Sequence, residues 1–151
     1  MSRESFVAEV PVRFGDVDYA RIIYYPRFFH LLHIAFEELF ARHVGIPYAQ
    51  LVGERNLGFP AVKIDTEFHR PMRHGDVLKV AIAVPRIGRS SVSFDHRVDV
   101  GDEPTPRATC RMTRVAVNMD TLRAVPLPED IRARLAVLRP VLGPADPGVL
   151  E

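Results

Sequence analysis

The sequence has little of several features that would point to particular classes of protein. It contains one cysteine, so no disulfide can form within the chain and nothing indicates an oxidising compartment. Its 20 basic and 19 acidic residues leave a net charge of +1, which argues against a nucleic-acid-binding surface. No run of about 18 apolar residues occurs, and no apolar signal-peptide core follows the first residues. These features predict a cytoplasmic protein without a membrane-spanning helix.

The motifs of several enzyme classes are also absent. No Gly-x-Ser-x-Gly elbow occurs, which disfavours a serine hydrolase of that kind, and there is no glycine-rich nucleotide loop. His30 and His33 lie three residues apart and could in principle share a metal ion. However, no Glu-x-x-His arrangement and no cysteine pair accompany them. The sequence therefore favours a protein without a bound metal.

Length and composition fit one globular domain spanning residues 1–151. With 47% hydrophobic and 26% charged residues, the chain can bury a sizeable core without the support of disulfides or metal ions. The core is predicted to cover about residues 6–138. The tail, residues 140–151, is rich in proline and glycine and is predicted to be frayed.

A long and unusually apolar helix is predicted after a short strand at residues 7–14. Pro11 places that strand at a sheet edge or beside a bulge. Pro26 suits the first position of the helix, which would run to residue 42 or 43, and Gly45 suits its end. A narrow polar ridge interrupts the apolar surface and consists of His30, His33 and Glu37. A helix this apolar is predicted to be wrapped by other structure on most sides.

The second half of the chain reads as a series of strands, after an irregular stretch at residues 44–58. Apolar and polar residues alternate over residues 62–69, 78–84, 92–100 and 107–119. Short turns between these strands predict an antiparallel meander. A short helix is predicted from about Pro128 to Leu138. The order of elements predicts an α+β fold in which an antiparallel sheet curls around the long helix.

The loop before the long helix carries the first candidates for chemistry. Asp16 and Asp18 lie in this loop, and the helix begins near Tyr25. A helix start offers unpaired N–H groups, which could stabilise the oxyanion formed at a thioester carbonyl. A nearby carboxylate could attack that carbonyl or activate water. Spacing alone leaves a second interpretation open, because aspartate in a glycine-containing loop is usually a turn or cap residue.

Two further groups of residues could contact a ligand. Arg89, Ser90 and Ser91 follow Gly88 at the entry to a predicted strand, where such groups can hold phosphates. A solvated hairpin turn explains the same residues. The aromatic residues that could line a pocket, or equally pack in the core, are Tyr19, Tyr24, Tyr48 and Phe59.

Three segments together resemble the 4-hydroxybenzoyl-CoA thioesterase family of hot-dog folds. Residues 12–18 (Val-Arg-Phe-Gly-Asp-Val-Asp) and 22–29 (Ile-Ile-Tyr-Tyr-Pro-Arg-Phe-Phe) are similar to the family pattern aromatic-Gly-Asp-x-Asp, then Gly-Ile-Val-Tyr-Tyr-Pro-x-Tyr/Phe. Residues 68–78 are similar to a second pattern, aromatic-x-x-Pro-x-x-x-Gly-Asp-x-Leu. The resemblance covers about residues 6–138.

The resemblance implies the hot-dog fold, an antiparallel sheet wrapped around a long central helix, and hydrolysis of an acyl- or aroyl-CoA thioester to free acid and CoA. It implies that Asp18 is the catalytic carboxylate, as nucleophile or general base, and that the Tyr25 N–H polarises the thioester carbonyl. Arg89, Ser90 and Ser91 would lie near CoA, which is part of the substrate, so no cofactor is expected. The resemblance also implies a homodimer or homotetramer with active sites at subunit interfaces.

One departure from the family pattern concerns the loop itself. Where the family commonly has Asp-x-x-Gly, this chain has Asp18-Tyr19-Ala20-Arg21. If that position needs a positive φ, Arg21 is strained or the loop is reshaped; its side chain could also bind a carboxylate or phosphate. Two alternatives to a thioesterase therefore stay open. One is a hydratase of the same fold, although its Asp-x-Asn-Pro-x-His pattern is absent, and the other is a non-catalytic acyl-CoA-binding protein.

Overall fold

The structure, a computed structural model, describes residues 6–139 of the chain. The predicted frayed tail therefore lies outside the described residues. The strands are β1 (Phe6–Pro11), β2 (Leu57–Gly58), β3 (Ala61–Phe68), β4 (Val77–Ile87), β5 (Ser91–Asp99), β6 (Ala108–Val115) and β7 (Val117–Asn118). The α-helices are α1 (Tyr25–Glu38), α2 (Tyr48–Arg55) and α3 (Glu129–Ala136). None of the helices in the described part of the chain is long and apolar enough to cross a membrane.

Five strands form one antiparallel sheet in the order β1-β4-β5-β6-β3. The predicted meander is confirmed for β4, β5 and β6, which pair with one another in sequence order. It is wrong for β3, which pairs with β6 at the far edge instead of with β4. The connection from β3 to β4 therefore runs across the end of the sheet. Alternation of apolar and polar residues shows where a strand lies, but it does not specify which other strand pairs with it.

The long helix forms as predicted and is central to the core. α1 begins at Tyr25 with Pro26 in its first turn, continues as a π-helical segment (Leu39–Val44) and ends at Gly45, whose φ is +86°. Its buried residues are Phe28, Leu31, Leu32, Ala35 and Phe36. The ring of Phe36 packs edge-on against Phe94 of β5, with 5.6 Å between ring centroids. Phe28 packs against Phe68 of β3 in the same way, so strands from the edge and the middle of the sheet contact this helix and the predicted α+β architecture is confirmed.

The second helix, α2, was not predicted, and the expectation of an irregular stretch there is wrong. Its single buried residue is Leu51, so its amphipathic pattern is weak. Tertiary contacts stabilise it instead, because the Tyr48 ring packs against Phe36 and Phe40 with centroid distances of 5.1 and 5.6 Å. The Tyr48 hydroxyl also accepts the Phe59 N–H at 2.8 Å. α3 begins after Pro128, as predicted.

Candidate active site

The loop that carries Asp18 is a tight hairpin. Val17 and Ile23 form an antiparallel bridge, and the Asp18 N–H donates to the Ile22 carbonyl at 3.2 Å. The Arg21 N–H donates back to the Asp18 carbonyl at 2.9 Å. Such a loop needs a residue in the left-handed region at its third position, and Arg21 occupies it with a φ of +70°. Of the two outcomes expected for this position, strain or a reshaped loop, the positive φ of Arg21 corresponds to the first, and for a non-glycine residue this conformation costs about 1–2 kcal/mol.

Asp18 lies at the first corner of this hairpin with its side chain exposed to solvent. Its Oδ1 accepts the Ala20 N–H at 2.8 Å, which fixes the orientation of the carboxylate. Within residues 6–139, no cation forms an ion pair with Asp18. The carboxylate is thus held by its own turn and accessible to a ligand.

Asp16 has a different environment although it lies two residues away. It is buried, and its Oδ2 accepts a hydrogen bond from the Arg13 N–H at 2.8 Å. Its Oδ1 accepts two hydrogen bonds from the Arg27 guanidinium, from Nε at 3.0 Å and from Nη2 at 2.8 Å. Burial raises the pKa of Asp16, but the hydrogen bonds from Arg13 and Arg27 outweigh burial and leave the pKa below its usual value. The Asp16 carbonyl also accepts the Tyr24 N–H at 2.9 Å. Asp16 therefore anchors the hairpin to the start of α1.

The backbone N–H of Tyr25 lies at the start of α1. No side chain caps this end of the helix. As the first helical residue, Tyr25 has no acceptor within α1, and its N–H finds none elsewhere in residues 6–139. The helix dipole adds partial positive charge at this point. This end of α1 can therefore donate a hydrogen bond to a ligand oxygen.

A cavity of about 420 Å³ adjoins the hairpin and the helix start. It is lined by Ile22, Ile23, Tyr25, Phe68, His69, Arg70, Pro71 and Met72. Its size falls in the range of small-molecule sites, and most of its lining residues are apolar. Because Phe68 ends β3, the cavity lies at the free edge of the sheet.

Sequence reasoning missed the segment 68–72 as part of the site. A signal was available, because these residues begin the second family-like segment, residues 68–78. The run Pro-Met-Arg-His-Gly at residues 71–75 indicates a turn. A turn alone does not predict that the Met72 carbonyl accepts the Ile23 N–H at 2.8 Å. This bond joins the segment to the Asp18 hairpin.

Two of the aromatic candidates have contrasting positions. Tyr24 is 48% exposed next to Tyr25, with 5.7 Å between the ring centroids, so it lies beside the cavity opening. Phe59 is fully buried, packs against Phe40 and accepts a hydrogen bond from Arg114 on its carbonyl. The structure therefore brings Tyr24, but not Phe59, to the Asp18 hairpin.

Arg89, Ser90 and Ser91 lie at the opposite end of the sheet from Asp18. β4 starts beside the hairpin, where the Val12 N–H donates to the Asp76 carbonyl, and ends just before these residues. At about 3.3 Å per strand residue the two ends are roughly 30 Å apart. The Arg89 and Ser90 carbonyls accept the N–H groups of Leu127 and Ala116, both at 2.8 Å. One copy of the chain therefore does not bring these residues to Asp18.

A family model described as the thioesterase-like superfamily matches residues 12–135, which is most of the chain. The chain belongs to the thioesterase-like superfamily. Membership confirms the predicted hot-dog fold, and it makes the protein a thioester hydrolase, as the sequence predicted. The narrower resemblance to 4-hydroxybenzoyl-CoA thioesterases is not reproduced by these comparisons, in which relatives are named for 1,4-dihydroxy-2-naphthoyl-CoA or gentisyl-coenzyme A.

Relatives of this thioesterase-like protein include a 1,4-dihydroxy-2-naphthoyl-CoA hydrolase from Synechococcus elongatus. The two sequences are 27% identical over 127 residues, which is 83% of this chain and 91% of the relative. A 1,4-dihydroxy-2-naphthoyl-CoA thioesterase from Synechocystis has a similar fold, with a TM-score of 0.79, 19% identity, and coverage of 88% and 96% of the two chains. The gentisyl-coenzyme A thioesterase BH1999 is 25% identical, with a TM-score of 0.76 and coverage of 84% and 99%.

Proposed function

We propose that this thioesterase-like protein hydrolyses an aroyl-CoA to the aromatic acid and CoA, with Asp18 as the catalytic carboxylate. The observation that carries the proposal is that the hairpin of the accessible Asp18 and the unpaired Tyr25 N–H border the same cavity, since Ile22, Ile23 and Tyr25 all line it. The relatives named for naphthoyl-CoA and gentisyl-CoA substrates support an aromatic acyl group. No cofactor is needed, because CoA is part of the substrate.

The Tyr25 N–H would act on the thioester carbonyl. Negative charge develops on the carbonyl oxygen as the tetrahedral intermediate forms, and a hydrogen bond from Tyr25 together with the dipole of α1 stabilises that charge. Donors of this type contribute about 10²–10³-fold to the rate. Because the donor is a backbone group fixed by the helix, it needs no reorganisation during the reaction.

Asp18 can cleave the thioester by either of two balanced routes. As a nucleophile, its carboxylate attacks the carbonyl carbon, the C–S bond breaks, CoA leaves as the thiolate, and water then cleaves the mixed anhydride. As a general base, it takes a proton from a water molecule that attacks the same carbon; the C–S bond then breaks, CoA leaves as the thiolate, and the proton passes from Asp18 to the thiolate or to solvent. Hydroxylamine separates the routes if the protein itself is analysed by mass spectrometry, because a hydroxamate on Asp18 can form only from a mixed anhydride, whereas hydroxylamine also attacks the thioester directly.

We further propose that the active site is completed by a second copy of the chain paired along β3. β3 has a neighbour on one side only within the described residues, and its exposed residues include apolar side chains as well as Lys63 and Glu67. Val62 is 62% exposed, Ile64 44% and Phe68 48%, and of these Phe68 lines the cavity. A second β3 would cover this apolar edge and the cavity opening together.

Antiparallel pairing of two β3 strands would also account for the distant phosphate-binding candidates. A two-fold axis at the centre of β3 places the start of one β3 beside the end of the other. The turn of Arg89, Ser90 and Ser91 lies at the start of β3, because β6 joins that turn to Ala61 through the sheet. The second copy would therefore bring its turn to the end of the sheet where Asp18 lies, within reach of an extended CoA.

The proposal is tested by thiol release from a panel of acyl-CoAs. The panel contains 1,4-dihydroxy-2-naphthoyl-CoA, gentisyl-CoA, 4-hydroxybenzoyl-CoA and hexanoyl-CoA, and crotonyl-CoA detects hydration without thiol release. We expect the aroyl thioesters to be preferred. We expect Asp18→Asn to lower kcat by about 10³-fold with an unchanged circular dichroism spectrum, since a positioned base or nucleophile contributes on that order.

The matched control is Glu129→Gln, a carboxylate-to-amide change on the exposed first turn of α3, which should keep wild-type activity. An Asp18→Asn enzyme that kept most of its activity would contradict the role of Asp18. A wild-type enzyme that preferred hexanoyl-CoA, or that hydrated crotonyl-CoA without releasing thiol, would contradict the substrate class or the reaction.

A further inference from the structure

Arg21 occupies a backbone position that glycine would fill without strain. Its left-handed conformation closes the Asp18 hairpin. The two bonds that define the hairpin, between Asp18 and Ile22 and between Arg21 and Asp18, use backbone atoms only. A glycine would form them equally well, so the turn that holds Asp18 does not require an arginine side chain. Strain retained at a functional site indicates that the side chain has a use there.

The charge of Arg21 is not neutralised by a carboxylate in the described part of the chain. Its side chain is exposed and forms no ion pair there. Other arginines at this end of the molecule do form ion pairs. Arg27 pairs with Asp16 at 2.8 Å, and Arg70 pairs with Glu103 at 2.8 Å. Arg21 is therefore a cation available to a ligand.

Arg21 is adjacent in sequence to the wall of the cavity, and we refer to the residues next to that wall as its rim. The next residue, Ile22, lines the cavity, and Ile23 donates its N–H to the Met72 carbonyl at 2.8 Å. That bond brings Arg73, which directly follows Met72, to the same rim. Arg73 is also exposed and has no ion pair among residues 6–139. The rim therefore carries two cations beside a mostly apolar cavity.

We propose that Arg21 recognises an anionic group of the substrate, with Arg73 as a supporting cation. A guanidinium binds carboxylate and phosphate oxygens through paired N–H donors, so the group is either a phosphate of CoA or an acid group on the acyl part. Arg21 is then a specificity residue that acts on substrate binding, and the bond-breaking step stays with Asp18. This inference rests on the proposed thioesterase activity.

The test compares three variants on three thioesters. Arg21→Gln removes the charge and keeps a side chain, Arg21→Lys keeps the charge, and Arg21→Gly removes both the charge and the strain. The substrates are an aroyl-CoA, the same aroyl group on S-pantetheine, which has no phosphates, and an aroyl-CoA that carries an additional carboxylate. Arg134→Gln, on the exposed face of α3, is the control for loss of one positive charge.

We expect Arg21→Gln and Arg21→Gly to raise KM about 10-fold for substrates that carry the recognised anion, because charge-assisted hydrogen bonds are lost. Arg21→Lys and Arg134→Gln should stay within about twofold of wild type, and kcat should change little in all of them. If KM rises for the aroyl-CoA but not for the pantetheine thioester, the anion that Arg21 recognises is a phosphate of CoA. If KM rises only for the substrate with the additional carboxylate, the recognised anion is that acid group.

The inference would be overturned if KM were unchanged in both Arg21→Gln and Arg21→Gly on all three substrates. It would also be overturned if KM rose as much for the S-pantetheine thioester, which carries neither a phosphate nor an acid group, as for the CoA thioesters. Failure of the proposed function is recognised separately, because the wild type would then hydrolyse none of the substrates. In that case titration calorimetry measures the affinity of wild type and of Arg21→Gln for CoA and for an aromatic dicarboxylate. Equal affinity of wild type and Arg21→Gln for both ligands would overturn the role of Arg21, and weaker binding by the variant would support it.

Discussion

At the scale of single residues, the environment separates the roles of Asp16 and Asp18. Both oxygens of the Asp16 carboxylate are occupied by donors from Arg13 and Arg27, and the side chain is buried. Asp18 is exposed, and within the described part of the chain its carboxylate accepts one hydrogen bond, from the Ala20 N–H to Oδ1. A carboxylate whose lone pairs are already satisfied is a poor base or nucleophile. The hairpin therefore contains one structural and one available carboxylate.

Another residue with a strong environmental effect is His96 of β5, which is buried against the core. Burial lowers the pKa of His96 to about 4; the hydrogen bond with the Cys110 carbonyl and the charge of Asp95 partly oppose this, and the charge of Arg114 adds to it. The folded protein therefore keeps His96 neutral at pH values where the unfolded chain, with a histidine pKa near 6.5, takes up a proton. Stability conferred by neutral His96 is complete above about pH 6.5 and is lost as the pH falls towards 4.

We expect the free energy of unfolding to fall by up to about 3 kcal/mol between pH 6.5 and pH 4 through this residue, at 1.36 kcal/mol for each pKa unit. The measurement is urea denaturation of wild type and His96→Gln at pH 7, 5.5 and 4.5. The variant should show a smaller loss of stability on acidification. An identical pH dependence in both proteins would assign the acid sensitivity to other groups, such as His33, whose pKa burial also lowers.

At the scale of the elements, two glycines have opposite effects on helices. Gly45 ends the π-helical continuation of α1 with a φ of +86°, and Gly53 lies inside α2. Neither has an atom within 4 Å of the position where a Cβ would be added, so steric contact does not distinguish them. The backbone conformation alone decides the effect of an alanine at each position.

We expect Gly45→Ala to lower the free energy of unfolding by about 1–2 kcal/mol, because a left-handed conformation is costly for alanine. Gly53→Ala should raise it by about 0.5–1 kcal/mol, because glycine is a poor helix former. Chemical denaturation of wild type and the two variants measures both changes in the free energy of unfolding. A stabilised Gly45→Ala protein would show that the end of the helix had rearranged.

The sequence predicted those elements whose ends carry local signals. Pro26 and Gly45 mark the limits of the long helix, and the alternation of apolar and polar residues marks β3 to β6. α2 has weak local signals, and a short helix of that kind depends on tertiary packing, here of Tyr48. The neighbour of β3 could not be predicted, because β6 and β4 offer similar alternating faces and the choice depends on the whole sheet.

The candidate site was predictable to a similar extent. Asp18 and Tyr25 lie in one contiguous segment, so the motif and the geometry coincide. The cavity wall at Phe68 to Met72 comes from a distant part of the chain and joins the site only through the Ile23–Met72 hydrogen bond. Phe59 has the aromatic character of a pocket residue, but its backbone is fixed between Tyr48 and Arg114 in the core.

At the scale of the whole molecule, the two edges of the sheet differ in character. β1 forms one edge, contains Pro11 and exposes Val7 at 41%. β3 forms the other edge, beside the cavity, and exposes several apolar side chains. Apolar edges of this kind are covered in stable proteins. The difference makes β3 the edge that we expect a second copy to occupy.

We expect Ile64→Asp to abolish dimer formation and to lower thioester hydrolysis at least about 10-fold. The substitution would place charges near the two-fold axis, next to Asp65 of each copy, where like charges oppose each other. Light scattering after size-exclusion chromatography measures the mass, and circular dichroism checks the fold. Val7→Asp makes the same kind of change at the other edge and should leave a dimer with full activity. A fully active monomer of Ile64→Asp would contradict the interfacial site.

The strand order also has a consequence for synthesis of the chain. Among residues 6–139, β1 pairs with β4 alone, where Phe6 lies opposite Ile82, and α1 is covered by strands that end at Val115. At roughly 5–20 residues per second, the apolar surface of α1 leaves the ribosome several seconds before those strands do. Contacts so distant in sequence also slow folding. The nascent chain therefore passes through a period in which its most apolar helix is unprotected, and this period is where we expect it to depend most on chaperones.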